Sequence, residues 1–562
     1  MKREKALDSA ATPRCGYPLY RRRIRMKMAS YLTVLLAVVS FLPQVSGGVQ
    51  ILSKEALGDR EVLIAPDYSR DKVVDRVTCD FEQSLDLSAA WGLTFEFRTD
   101  DISAFSGFVL LLRTGGRRRP AGWYVYRPHP EEVGENGWLR MTLEREPAST
   151  SGAPEGLDRI SCIRFTGYLV GDRRPKEVRF RDFRVLYAKP KEKSADAHAR
   201  AADQVRAIPP KAGERRLAWT RVELHGGEVP DWDALAARAK RVGITDLIPL
   251  LSWNGGAYFP SVVTGYRKEL VEKHGDQLEK CLAACRRHGV KCHARKVNWR
   301  ICGSKEFLER MRAEGRLQRV VAKSTNGRAA GARSAGRRLV DGEWLCPGDP
   351  RNRKLEVDAM VELASKGLDG IHYDYIRYEG YSGCYCDGCK ARFEARIGRK
   401  VERWPDDVGS SNAPLVKEWD AYRRETISAV VEEVARRVHR DFPKVEISAA
   451  VQRFKPGLEP NAQDWSRWCR ERWLDFVCPM DYTNLSVFLE NTARPQKKVM
   501  DDTGVPIYPG IGLCSSSSKL TPLAAARQIE LLRNMGFPGY TFFSFRADTY
   551  PDFECLAEGP CR

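Results

Sequence analysis

From Leu217 onward the chain repeats one pattern. A segment with apolar residues at helical spacing ends in glycine, and an apolar run starts at once. It is seen in "ARAKRVG-ITDLIPLLSW", "AACRRHG-VKCHARKVNW", "VELASKG-LDGIHYDYIRY" and "LLRNMG-FPGYTFFSFR", where the glycines are Gly243, Gly289, Gly367 and Gly536. Glycine just past a helix end supplies a left-handed residue and a tight turn into the next strand. The connections leaving the strands are longer and rich in Trp, Asn, His, Arg, Cys and Tyr. Short turns at one end and chemistry-bearing loops at the other are the asymmetry of a (β/α)8 barrel. The spacing predicts eight strands, at 217–226, 244–253, 290–299, 368–376, 445–452, 474–482, 505–513 and 539–545. Among the helices between them, one begins at Asp349 as N-cap with Pro350 in the first turn.

The texture before this region differs. Residues 49–190 hold short alternating runs such as "LTFEFRT", "GFVLLLRT", "GWYVYRP" and "VRFRDFRVLYA", separated by Gly, Pro, Asp and Asn. They predict an antiparallel, jelly-roll-like β-sandwich. Trp123, Tyr124 and Tyr126 are candidates for stacking on sugar rings, although alternation sends some of them into the core. A charged, Ala-rich linker at 191–214 ends in Pro-Pro and predicts a surface connector or short exposed helix. The fold class expected is therefore α/β: a TIM barrel over 215–562, preceded by an antiparallel sandwich.

Residues 1–48 read as a signal peptide or N-terminal anchor. "YLTVLLAVVSFLP" follows "YRRRIRMKM" and precedes the small-residue stretch "QVSGG". The run is shorter than the roughly 20 residues of a membrane span, and no later stretch of the sequence is apolar enough to cross. The expectation is a secreted or periplasmic protein, with an uncleaved anchor as the alternative. The 562 residues carry a net charge of +19. Much of that excess lies near the N-terminus and no nucleic-acid motif accompanies it, so nucleic acid is not the expected partner.

Candidate chemistry gathers at the predicted strand ends. In "LDGIHYDYIRYEG", alternation turns Asp374 and His372 into the barrel and Ile371 and Tyr373 toward the helices. In "LDFVCPMDYTN", Val477, Pro479 and Asp481 share a face, which predicts Asp481 as the last inward residue of strand six. Two such carboxylates at about 5–5.5 Å suit a retaining glycosidase, and at about 6.5–9.5 Å an inverting one. Trp253, Asn254, His293, Arg295, Asn298, Trp299, Arg377, Tyr378, Tyr482 and Arg546 fall at or beyond strand ends. Together with His372 they are the candidate substrate-binding set, since aromatics stack on sugars and polar side chains bind hydroxyls or carboxylates. Glu223 and Glu379 are reserve carboxylates.

"LCPGDPRNRKLEVDAMVELASKGLDGIHYDYIRY", "HARKVNW" and "DWSRWCRERWLDFVCPMDYTN" resemble segments of the glycosyl-hydrolase-like family ten TIM barrels, over about residues 215–550. The resemblance implies a glycoside hydrolase-like barrel acting on carbohydrate. Arg295 stands where an aromatic is common in that family, and Asp481 where Asn is often found. One Asp after strand four and one after strand six is also similar to the alpha-galactosidase and alpha-glucosidase clan. That likeness implies Asp374 as nucleophile and Asp481 as acid/base. No cofactor is expected for catalysis.

Directly after strand four comes "GCYCDGCKARFE". Cys384, Cys386 and Cys389 offer three thiolates, one short of a closed tetrahedral zinc site, with Cys346 a conceivable fourth. The spacing is compatible with structural zinc, with disulfides in an exported protein and with free thiols. Two other functional classes stand beside hydrolysis: a catalytically silent glycan-binding barrel, and another secreted barrel enzyme such as a sugar lyase. No G-x-S-x-G elbow supports an esterase.

Overall fold

The structure, a computed structural model, describes residues 62–64, 73–116, 120–126, 130–133, 137–169, 174–188, 195–222, 228–302, 304–321, 339–379, 383–410, 413–453 and 461–562. The predicted targeting segment and Glu223 lie outside the described residues.

Eight parallel strands form the central sheet: Arg215–Arg221, Asp246–Asn254, Lys291–Ile301, Gly370–Asp374, Glu446–Val451, Phe476–Pro479, Gly510–Gly512 and Gly539–Phe543. They are called barrel strands one to eight here. Strand one pairs with both strand two and strand eight, and the ladder runs on through strand six at the other edge. A parallel bridge between Val477 and Ile507 brings strands six and seven together and nearly closes the sheet into a barrel. Strand seven is much shorter than its apolar run. Pro506 and Pro509 have no N–H to donate. Their carbonyls still accept, from Val477 N at 3.1 Å and Thr541 N at 3.0 Å.

The four junction glycines all have positive φ. Gly289 caps the helix Gln277–His288 in the left-handed conformation, its N–H donating to Arg286 O. A Cβ at Gly243 would meet Cys561 O at 1.8 Å, so that turn needs glycine for space as well. The helix Pro350–Ala364 starts as expected, with Asp349 Oδ1 accepting from Arg351 N at 2.9 Å.

Two cores result. Odd residues of strand one and even residues of strand six, among them Leu217, Trp219, Phe476 and Cys478, fill the barrel interior with Ile248, Ala450 and Tyr508. Ala218, Ile371, Tyr373, Ala449 and Val477 face the helices in a much larger cluster. A hairpin, Leu317–Val321 with Leu339–Leu345, is inserted after strand three and pairs back onto it at Arg300 and Trp344.

The N-terminal part holds two five-stranded antiparallel sheets. Their side chains share one apolar cluster, where Phe97 of one sheet meets Phe108 of the other at 4.8 Å. Phe488, from the barrel helix Ser486–Thr503, joins that cluster 5.7 Å from Phe108. The middle of the linker forms the helix Ala195–Arg206. No helix among the described residues is long and apolar enough to cross a membrane.

Candidate active site at the barrel mouth

Among the apolar residues of the barrel interior, polar side chains fall in three layers. At the N-terminal end, Arg215 Nη2 donates to Asp246 Oδ1 at 2.6 Å and Glu446 Oε2 at 2.7 Å, and His293 Nε2 lies 3.0 Å from the same Asp246 oxygen. Burial opposes the Asp246 charge, but the His293 and Arg215 hydrogen bonds outweigh it and hold the carboxyl below the usual range. His293 was expected in the substrate site, and here the structure corrects the sequence reading. It sits near the start of the eleven-residue strand three, fully buried at the end of the barrel away from the mouth. Such contacts serve stability. His293→Asn is therefore expected to lower the unfolding free energy by roughly 1–3 kcal/mol and leave KM for a glycan unchanged. A raised KM at unchanged stability in denaturant titrations would reverse that assignment.

In the middle layer, Trp219 Nε1 donates to His372 Nε2 at 3.1 Å. The proton of His372 is thereby on Nδ1, which donates to Ser448 Oγ at 2.8 Å, and Ser448 donates on to Ile371 O. Burial, reinforced by the Arg295 and His293 charges, pushes His372 well below its ordinary pKa. It is a neutral, fully buried spacer beneath the site, not a group that meets substrate.

The top layer is the mouth. Asp374, the last residue of strand four, faces inward, and Arg295 Nη1 donates to its Oδ2 at 3.2 Å. Arg295 Nη2 also donates to Thr220 O at 3.1 Å. Tyr482 lies near enough to feel both charges, its ring 6.1 Å from Trp219 and 5.0 Å from Phe543. Beyond Asp374 the chain turns sharply: Tyr375 has φ 58° and Arg377 N donates to Tyr375 O. Arg377 stacks over Tyr375 at 4.5 Å and Trp344 at 5.6 Å. Trp299, at the end of neighbouring strand three, has φ 62°. Left-handed backbone at a bulky residue costs about 1–3 kcal/mol and concentrates at functional sites. Trp253 is half-buried at the end of strand two, and Arg546 follows strand eight, bonded to Cys514 Sγ at 3.0 Å and paired with Asp548.

Asp481 does not join this layer. In strand six the even positions face the barrel interior, so Val477, Pro479 and Asp481 point outward. Asp481 Oδ1 accepts from Gln496 Nε2 at 2.9 Å, on the helix Ser486–Thr503, and Oδ2 is buried without a partner among the described residues. Burial pushes its carboxyl up to about 7, against the opposing pull of Gln496 and Arg453. A folded-state pKa above the unfolded value, about 3.9, stabilises the fold fully below pH 4. That contribution is lost as pH rises through 7. Asp481→Asn is accordingly expected to be more stable than the parent at pH 8, by a margin that disappears near pH 4. Thermal unfolding of both proteins at the two pH values checks it, and equal margins would contradict it.

Several other candidates are drawn behind the mouth by a residue the sequence reading passed over. Glu356, on the helix Pro350–Ala364, is fully buried. It accepts from Asn254 Nδ2 (2.6 Å), Lys296 Nζ (2.7 Å), Asn298 Nδ2 (2.7 Å) and Trp299 N (2.8 Å). Asn254, Asn298 and Trp299 are therefore fully buried elements of a network that shapes the strand-three loop. The available signal was position: Asn352, Glu356, Met360 and Leu363 fall on one helical stripe, so a carboxylate sat where apolar residues belong. Tyr378 is likewise fully buried, beneath Arg423 at 4.5 Å. Cys384, Cys386 and Cys389 are brought together with Cys346 beside the hairpin. In the N-terminal sheets Tyr126 is buried, while Trp123 is half-buried under Arg164 at 4.7 Å.

The family model described as "Glycosyl hydrolase-like 10" matches residues 234–520. An S-layer-related protein of Niallia circulans is 27% identical over 136 residues, which is 22% of this chain and 8% of the relative's own length. Among solved structures, the PgaB (BpsB) glycoside hydrolase domain of Bordetella bronchiseptica is similar with TM-score 0.46 and 14% identity, over 61% of this chain and 98% of that one. A beta-galactosidase from the psychrophilic Marinomonas ef1 has TM-score 0.40 and 10% identity, over 59% and 54%.

Proposed function

The chain belongs to the glycosyl hydrolase-like 10 family, and from that premise we propose that it cleaves glycosidic bonds of a poly- or oligosaccharide at the barrel mouth, with Asp374 as the central carboxylate. The observation that carries this reading is the placement of Asp374. It ends strand four facing the barrel axis, with Oδ2 held by Arg295 and Oδ1 without a hydrogen-bond partner among the described residues. A carboxylate oriented by a fixed guanidinium suits a nucleophile or a stabiliser of an oxocarbenium ion. Glycosidases pair that group with an acid. Since Asp481 faces outward, the acid role falls to the reserve carboxylates, the exposed Glu379 beyond Asp374, or Glu223.

The two antiparallel sheets support reading residues 49–190 as a jelly-roll-like sandwich that binds carbohydrate. The S-layer-related relative supports an extracellular protein exported by residues 1–48. A second reading, a glycan-binding barrel without turnover, is favoured by the nearly buried Arg295–Asp374 ion pair. Incubating the protein with a glycan panel and measuring both reducing-end release and calorimetric binding separates the two. Product release supports hydrolysis, and saturable binding without product supports the second reading. Arg221, Arg295 and Arg377 near the mouth make anionic glycans part of that panel.

A further inference from the structure

The cysteine cluster is built like a metal site and is independent of the glycan reading. Three chain segments contribute to it: Cys346 ends the inserted hairpin, Cys384 and Cys386 lie in the loop after strand four, and Cys389 is in the first turn of the helix Asp387–Ile397. The four sulfur atoms all lie within 4.8 Å of one another. Cys346 Sγ is 3.3 Å from Cys389 Sγ and 3.7 Å from Cys386 Sγ. A tetrahedron with zinc–sulfur arms of 2.3 Å has edges of roughly 3.8 Å, whereas a disulfide needs about 2.05 Å. Cys346, Cys384 and Cys389 are buried and Cys386 is half-buried.

Backbone donors and a guanidinium face the sulfur atoms. Arg319 N donates to Cys384 Sγ and Cys389 N to Cys386 Sγ, both at 3.4 Å. A Cβ at Gly348 would meet Cys389 Sγ at 2.6 Å and Arg392 Nη2 at 3.5 Å, which places a guanidinium beside the cluster. We propose that Cys346, Cys384, Cys386 and Cys389 bind one structural zinc ion. Four cysteines fill a tetrahedral shell and leave no position for water, so the ion has no place in turnover. Its effect is to fix the hairpin and the helix Asp387–Ile397 against each other. That gives the segment leaving Asp374 a rigid far end.

The test is elemental analysis of the full-length protein purified without chelator, together with cobalt substitution. The expected result is about one zinc per chain. Cobalt(II) should give intense thiolate-to-metal charge-transfer and tetrahedral d–d bands. Cys346→Ser should lose most of the zinc and unfold at lower temperature, while Cys285→Ser, in the separate Cys281–Cys285–Cys292 group, keeps it. Wild-type protein that takes up neither metal, or that yields disulfide-linked peptides joining these four cysteines, overturns the proposal even if Cys346→Ser fails to fold. Zinc lost from Cys285→Ser and retained in Cys346→Ser also overturns it.

Discussion

Replacing Asp374 with asparagine is expected to lower turnover of a hydrolysed glycan by roughly 10³-fold while the barrel stays folded. The side chain keeps its shape and can still accept from Arg295 Nη1, so the structural change is the loss of one charge-assisted hydrogen bond. That bond is worth about 1.5–3 kcal/mol, a cost a large barrel absorbs. The chemical change is larger. Asparagine cannot attack an anomeric carbon, and its neutral amide does not stabilise the positive charge of the transition state. The drop should fall in kcat rather than KM, because Asp374 acts on developing charge. Circular dichroism and the unfolding midpoint of the variant distinguish lost chemistry from lost structure.

The second large effect concerns Glu356. Removing its carboxylate strands the Lys296 ammonium, whose only charged partner among the described residues is Glu356 at 2.7 Å, with both side chains fully buried. It also removes the acceptor for Trp299 N, at the point where the backbone is left-handed. Glu356→Ala is expected to cost about 3–5 kcal/mol, the usual penalty for breaking a buried ion pair. Changing Lys296 and Glu356 together to methionine should cost clearly less than the sum of Lys296→Met and Glu356→Met made singly. Denaturant titrations of the single and double variants provide the measurement. Additive losses would mean that the two groups do not interact.

The sequence carried the barrel clearly because each glycine stop is a local event. Glycine past a helix end readily supplies the left-handed residue that turns the chain into the next strand, and Gly243, Gly289, Gly367 and Gly536 all have positive φ. Strand four was legible because its faces differ in polarity, Ile371 and Tyr373 against His372 and Asp374. Strand six was not. Val477 and Pro479 on one side and Phe476, Cys478 and Met480 on the other are all apolar, since both faces of a barrel strand are buried. Hydrophobicity could not choose between them, and a one-residue change of parity moved Asp481 from the mouth to the helix layer. His293 failed for a different reason. Facing inward says nothing about depth, and strand three starts at Lys291 and runs to Ile301. Glu356 shows that the polar groups expected to bind sugar can instead satisfy one buried carboxylate.

The most direct test of Asp374 as the central carboxylate compares Asp374→Asn and Asp481→Asn on one hydrolysed glycan at pH 6, alongside the parent protein. The expected result is a loss near 10³-fold for Asp374→Asn and a turnover within about tenfold of the parent for Asp481→Asn. Equal, severe losses in the two variants would put Asp481 back in the chemistry, and full turnover by Asp374→Asn would remove Asp374 from it.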